Sequence, residues 1–144
     1  MKKLLLLLLL VFVGIQFIPM DVPADLPTKA EEELKAPENV QAILKRACFD
    51  CHSSHTTYPW YSNIAPASIF TKMHVKEGRK HLNFSTWGAY DDEKKIKYLQ
   101  KIPKAIKSKM PLPSYLLIHK EAVLTDDDRK IIADWATEAA FDLE

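Results

Sequence analysis

Glycine and cysteine are scarce in this chain, with three of one and two of the other among 144 residues. Three glycines leave little material for phosphate-cradling loops, and neither G-x-G-x-x-G nor a P-loop occurs. H-E-x-x-H and G-x-S-x-G are missing too, which removes the common zinc-protease and serine-hydrolase patterns. Asp126-Asp127-Asp128 lacks the glycine and distant glutamate of a calcium loop, and reads as first-turn charge favoured by a helix dipole. Positive charge is not concentrated: 20 Lys and Arg stand against 19 Asp and Glu, without the basic stripe that attracts nucleic acid. No convincing strand-like run and no internal repeat is found. What remains is a single all-α domain with a modest core.

Both cysteines fall in Cys48-Phe49-Asp50-Cys51-His52. C-x-x-C-H is the spacing that holds a c-type haem: two thiols three residues apart reach the two vinyl groups on one porphyrin edge, and the next residue offers an imidazole to the iron. Other readings compete. A structural zinc site needs two more ligands, which without a third Cys would be histidines such as His74 or His81. A thioredoxin-type dithiol follows a strand in a βαβ unit, and no strand-like run precedes Cys48. A plain disulfide leaves His52 unexplained. One covalent haem c uses all three residues.

The N-terminus points the same way. Lys2 and Lys3 precede an apolar run from Leu4 to Ile18, broken only by Gly14 and the lone polar Gln16. That length suits a signal-peptide core and is short for a membrane span. No A-x-A site follows, Val22-Pro23-Ala24 being the nearest small-residue candidate, so an uncleaved anchor extended to Met20 stays open. Residues 1–20 are thus a signal peptide or membrane anchor, and the body is expected to be exported to the periplasm, where c-type haem is attached. Without the two leader lysines the net charge turns slightly negative.

Residues 21–36, rich in Pro, acid and Lys, read as a solvated linker before a domain at 37–144. Pro37 opens a helix carrying Val40, Ile43, Leu44, Ala47, Cys48 and Cys51 on one face and ending at the motif. Ser53–Pro66 reads as a loop. Ala67–Glu77 reads as a short helix with Ile69, Phe70 and Met73 inward, stopped by Gly78, and Arg79–Tyr90 as irregular. A further helix starts near Asp92 with Ile96, Leu99 and Ile102 on one face, and Pro103 is expected to kink or restart it. Met110-Pro111-Leu112-Pro113 forms a loop, and Ser114–His119 a short helical piece. Thr125 with Asp128 is a capping-box-like start for the last helix, whose expected inner face is Ile131, Ile132, Trp135 and Ala139, with Trp135 packing across the first helix near Ala47.

The helix running into Cys48-Phe49-Asp50-Cys51-His52, the late Met110-Pro111 loop and the closing helix begun by Leu124-Thr125 together resemble the class I cytochrome c fold. More closely, His52-Ser53, Tyr58-Pro59-Trp60-Tyr61, His74-Val75-Lys76-Glu77-Gly78-Arg79, Leu82-Asn83-Phe84-Ser85 and Met110-Pro111-Leu112 resemble the bacterial exported haem-binding domain family. The likeness covers roughly Pro37 to Ala136. It implies covalent haem and a redox role without an established reaction.

Met110 is the first candidate for the sixth iron ligand: its thioether is a soft donor in a Pro-stiffened loop, and in cytochrome c proteins a Met followed by Pro before the last helix commonly has this role. Packing in the core is its bland alternative. His74 or His81 would make a bis-histidine haem instead, while His119 reads as a surface or helix-end residue. His52 needs an acceptor for its other ring nitrogen, expected to be a carbonyl near Pro66. Arg79, Trp60, Tyr61 and Trp87 are the available donors to the propionates. A one-electron carrier serving periplasmic or membrane redox proteins demands least of these residues. A peroxidase-like enzyme or a small-ligand sensor requires a displaceable sixth ligand.

Overall fold

The computed structural model describes residues 1–19 and 27–144. Met20, Val22-Pro23-Ala24 and the first part of the expected linker lie outside the described residues. The helices are α1 (Lys2–Ile15), α2 (Glu38–Ala47), α3 (Phe49–His52), α4 (Ala67–His81), α5 (Asp92–Ser108), α6 (Pro113–Leu116) and α7 (Asp126–Phe141). Short 3₁₀ turns lie at Ala30–Glu32, Trp60–Asn63, Phe84–Ala89 and Lys120–Ala122. No strand occurs among the described residues, so the fold is all-α as expected.

The core forms where three apolar stripes meet. Val40, Ile43 and Leu44 come from α2, Leu99, Ile102 and Ile106 from α5, and Ile132, Ala136 and Ala140 from α7. Spacings of three and four residues put each set on one helical face. Small alanines on α7 let it lie close to α5, its main partner, while it also touches α2. The capping box at Thr125 is made as expected: Asp128 N–H donates to Thr125 Oγ1 at 3.0 Å, and Thr125 N–H to Asp128 Oδ2 at 2.9 Å. Arg46 at the end of α2 donates to Asp128 Oδ2 at 2.8 Å and to the Glu121 carbonyl, fastening α2 to the approach to α7.

Several elements depart from the expectation. Gly78 does not stop α4, which runs on to His81, because the glycine lies where a Cβ would stand 2.4 Å from the Cys51 carbonyl oxygen. Its role is close approach, not termination. On that helix Ser68 and Val75 are buried, whereas Phe70 and Met73 are exposed. The residues after it form a 3₁₀ turn with Phe84 and Ser85 buried. Helix α5 continues through Pro103 without a break: one hydrogen-bond rung is lost, but Ile102 and Ile106 on either side hold the helix to the core. The buried face of α7 is Ile132, Ala136 and Ala140, leaving Ile131, Trp135 and Ala139 half-buried at its border. Leu34, within the stretch read as linker, is buried in the core, and its N–H donates to the Phe84 carbonyl at 2.8 Å.

Candidate functional site

Cys48, Cys51 and His52 sit where α2 breaks into α3, and their surroundings explain their state. Burial and the neighbouring Cys51 push the Cys48 thiol up to about 12, against the pull of Arg46. Burial and Asp50 push Cys51 up to about 11, against Arg79. Both therefore stay protonated near neutral pH, unlike the lowered thiols of redox dithiols. Among the described residues no three His, Cys, Asp or Glu side chains gather to hold a metal ion, which removes the zinc alternative there.

His52 is held from behind. Its Nδ1 lies 2.9 Å from the Leu82 carbonyl, which can only accept, so Nδ1 carries the proton and Nε2 keeps its lone pair. The acceptor is thus Leu82 and not a carbonyl near Pro66. Burial pushes the imidazole below its ordinary pKa, against the Leu82 and Gly78 carbonyls, and keeps it neutral as a metal ligand must be. The Phe84 ring tilts against His52 with centroids 6.1 Å apart and stacks on Phe49 at 5.4 Å.

A buried polar strap fixes the loop that follows. Asn83 Nδ2 donates to Ser54 Oγ at 2.9 Å, Ser85 N–H to Asn83 Oδ1 at 3.0 Å, and Ser54 N–H to Ser85 Oγ at 3.0 Å. Arg79 donates from Nε to the Ser53 carbonyl at 2.7 Å and from Nη2 to the Ser54 carbonyl and Thr56 Oγ1, both at 3.0 Å. Its guanidinium orders the chain after His52.

These elements enclose a cavity of about 330 Å³, lined by Ala47, Cys48, Asp50, Cys51, His52, His74, Glu77, Gly78, His81, Met110, Pro111, Leu112 and Tyr115. That volume lies within the range of small-molecule and cofactor sites. Met110 reaches it because the Ala105 carbonyl accepts both the Lys109 and Met110 N–H groups, at 2.8 and 2.9 Å, and so ends α5. A mostly apolar wall, two free protonated thiols and a neutral, oriented imidazole fit a porphyrin.

Cys48, Cys51, His52, Met110, His74 and His81 therefore line one cavity. Trp60, Tyr61, Trp87 and Arg79 do not line it. Trp60 is exposed, and Trp87 packs with Tyr90 and Tyr98. Tyr61 Oη lies 2.7 Å from His119 Nε2, and burial raises its pKa. His119 sits at a helix end as expected, preceding the Lys120–Ala122 turn, but is half-buried: its ring stacks on Tyr115 at 4.1 Å and its Nδ1 lies 2.9 Å from Glu121. Tyr115, which the sequence reading missed, donates to Asp50 Oδ2 at 2.6 Å; burial and that bond raise its pKa well above the ordinary value. Its signal in the sequence was its place five residues after Met110, in the short helical piece that follows the Met-Pro loop.

No curated protein and no solved structure matches the chain. The model of the family described as a haem-binding domain matches residues 10–138, and the chain belongs to that haem-binding domain family.

Proposed function

We propose that this haem-binding protein carries one covalent haem c and acts as a one-electron carrier on the periplasmic side of the membrane, exchanging electrons with periplasmic or membrane redox proteins. The observation that carries the reading is that Cys48, Cys51, His52 and Met110 line one cavity. Each thiol would add across a vinyl C=C bond, sulfur to one carbon and hydrogen to the other. His52, oriented by Leu82 and Phe84, would give Nε2 to the iron, and Met110 its sulfur. Bound there, haem supplies a centre that takes up and returns a single electron. A neutral sulfur opposite imidazole raises the potential relative to two imidazoles. Residues 4–18 serve as a membrane anchor in this reading.

His74, His81 and Glu77, which line the same cavity, favour a second reading, a peroxidase-like enzyme or small-ligand sensor in which Met110 is displaceable. One variant separates the two. The ferric wild type is expected to show a near-infrared sulfur-to-iron charge-transfer band that Met110→Ala lacks, and the reduced wild type to bind carbon monoxide slowly. An unchanged spectrum in the variant would remove Met110 as ligand. Fast carbon monoxide binding by the wild type would favour the second reading.

A further inference from the structure

Helix α1 contains no buried residue, and its side chains from Leu4 to Val13 are all exposed and apolar. A helix apolar all round needs either a protein core or a bilayer around it. Its 14 residues span about 21 Å at 1.5 Å each, short of the roughly 30 Å hydrocarbon thickness. Among the described residues no helix is long and apolar enough to cross a membrane. A short apolar segment is accommodated by a thinned bilayer or by flanking groups drawn into it.

The flanking groups are on the page. Gln16, the lone polar side chain of the apolar run, pairs with both backbone groups of one residue of the haem domain. Its Nε2 donates to the Ala65 carbonyl at 3.1 Å, and Ala65 N–H donates to its Oε1 at 3.0 Å. Ala65 is only 4% exposed, so without Gln16 a buried donor and a buried acceptor would lose these partners. The family match begins at residue 10, inside α1, and so includes Gln16. On either side of Ala65 the chain exposes large apolar side chains: Trp60 at 76%, Ile64 at 42%, Phe70 at 56% and Met73 at 44%. Tryptophan is a residue of membrane–water interfaces.

We propose that Gln16 locks the apolar helix to the haem domain, so that the surface bearing Trp60, Ile64 and Phe70 rests in the interface of the phospholipid bilayer that receives the helix. The lock converts a tether into a fixed orientation, and the rim supplies the apolar contact that the short helix lacks. The inference rests on the reading of residues 4–18 as a membrane anchor, and electron transfer does not enter it.

The test uses the full chain with its haem reduced, in discs of phosphatidylcholine and phosphatidylglycerol containing a headgroup spin label. Backbone amide signals of 60–73 are expected to broaden several-fold more than those of α5 and α7. Gln16→Ala is expected to even out the broadening while leaving the haem spectrum unchanged, and Ile64→Ser with Phe70→Ser to weaken it at 60–73 alone. Uniform broadening in the wild type would overturn the proposal. So would selective sparing of 60–73 in discs holding two copies, which would mean that the surface pairs with a second chain. A mass showing that cells remove the helix would overturn it equally.

Discussion

His52 depends on residues about thirty positions away. Leu82 fixes its tautomer, Phe84 packs its ring, and Asn83 and Ser85 tie that stretch to Ser54 beside it. The Leu82-Asn83-Phe84-Ser85 run therefore acts as one support, alternating outward to the imidazole and inward to the serine loop. Asn83 is 5% exposed and bonded on both sides of its amide. Asn83→Ala would leave the Ser54 hydroxyl and the Ser85 N–H without these partners, at a cost of about 1–3 kcal/mol. Urea unfolding of the haem-loaded protein measures that loss, and a value near zero would contradict the role given to the strap. The C-x-x-C-H motif was legible because the chemistry it suits dictates both residue type and spacing. The Leu82 acceptor was not, since a backbone carbonyl leaves no mark in the residue that carries it. Arg79 was read by charge as a propionate donor, yet its fork fits the Ser53 and Ser54 carbonyls.

At the level of elements, two residues that usually break helices sit inside them for different reasons. Pro103 is tolerated in α5 because the core grips the turns around it. Gly78 is needed in α4 because the helix presses on α3, and the obstacle facing any Cβ is backbone at Cys51. Gly78→Ala is therefore expected to push α4 off Cys51, costing about 1–3 kcal/mol by overpacking and lowering the fraction of chains that carry haem. Absorbance per mole of purified protein reads the second effect, and full haem content would count against the packing argument. Nothing in the residue order announces this contact, since a pairing between Gly78 and Cys51 is visible only once the two helices meet. The junction of α2 and α7 was half legible: Thr125 and Asp128 announced the capping box, but Arg46 did not announce its reach to Asp128. Burial pushes the Asp128 carboxyl up, but the bonds from Thr125 and Arg46 outweigh it and hold it below the ordinary carboxylate range. A lowered carboxylate stabilises the fold above its unfolded pKa and loses that contribution as pH falls through the folded value. Stability should thus drop on acidification below about pH 4, and Arg46→Met should flatten that part of the curve. Thermal melts from pH 5 downward would show an unaltered slope if the pair were idle.

For the molecule as a whole, helical class and the main apolar stripes could be read from spacing, because burial on one helical face imposes a period on the sequence. Phe70 and Met73 misled that reading. Their spacing is helical, but α4 packs on α3 and the Trp60–Asn63 turn, with Ser68 and Val75 buried and Gly78 against Cys51, and leaves Phe70 and Met73 exposed. The assembled chain places a neutral, oriented imidazole, two protonated thiols and a thioether around one cavity, with α5 ending just before Met110 and α3 opening just after Cys48. Covalent attachment of the porphyrin is the central claim of this account, and intact-protein mass after acid-acetone extraction tests it most directly. Protein produced in cells equipped for cytochrome maturation should keep its colour and weigh one haem more than the polypeptide, with Cys48→Ala and Cys51→Ala together abolishing the increment. A colourless polypeptide at its bare mass, with all the porphyrin in the acetone, would contradict it.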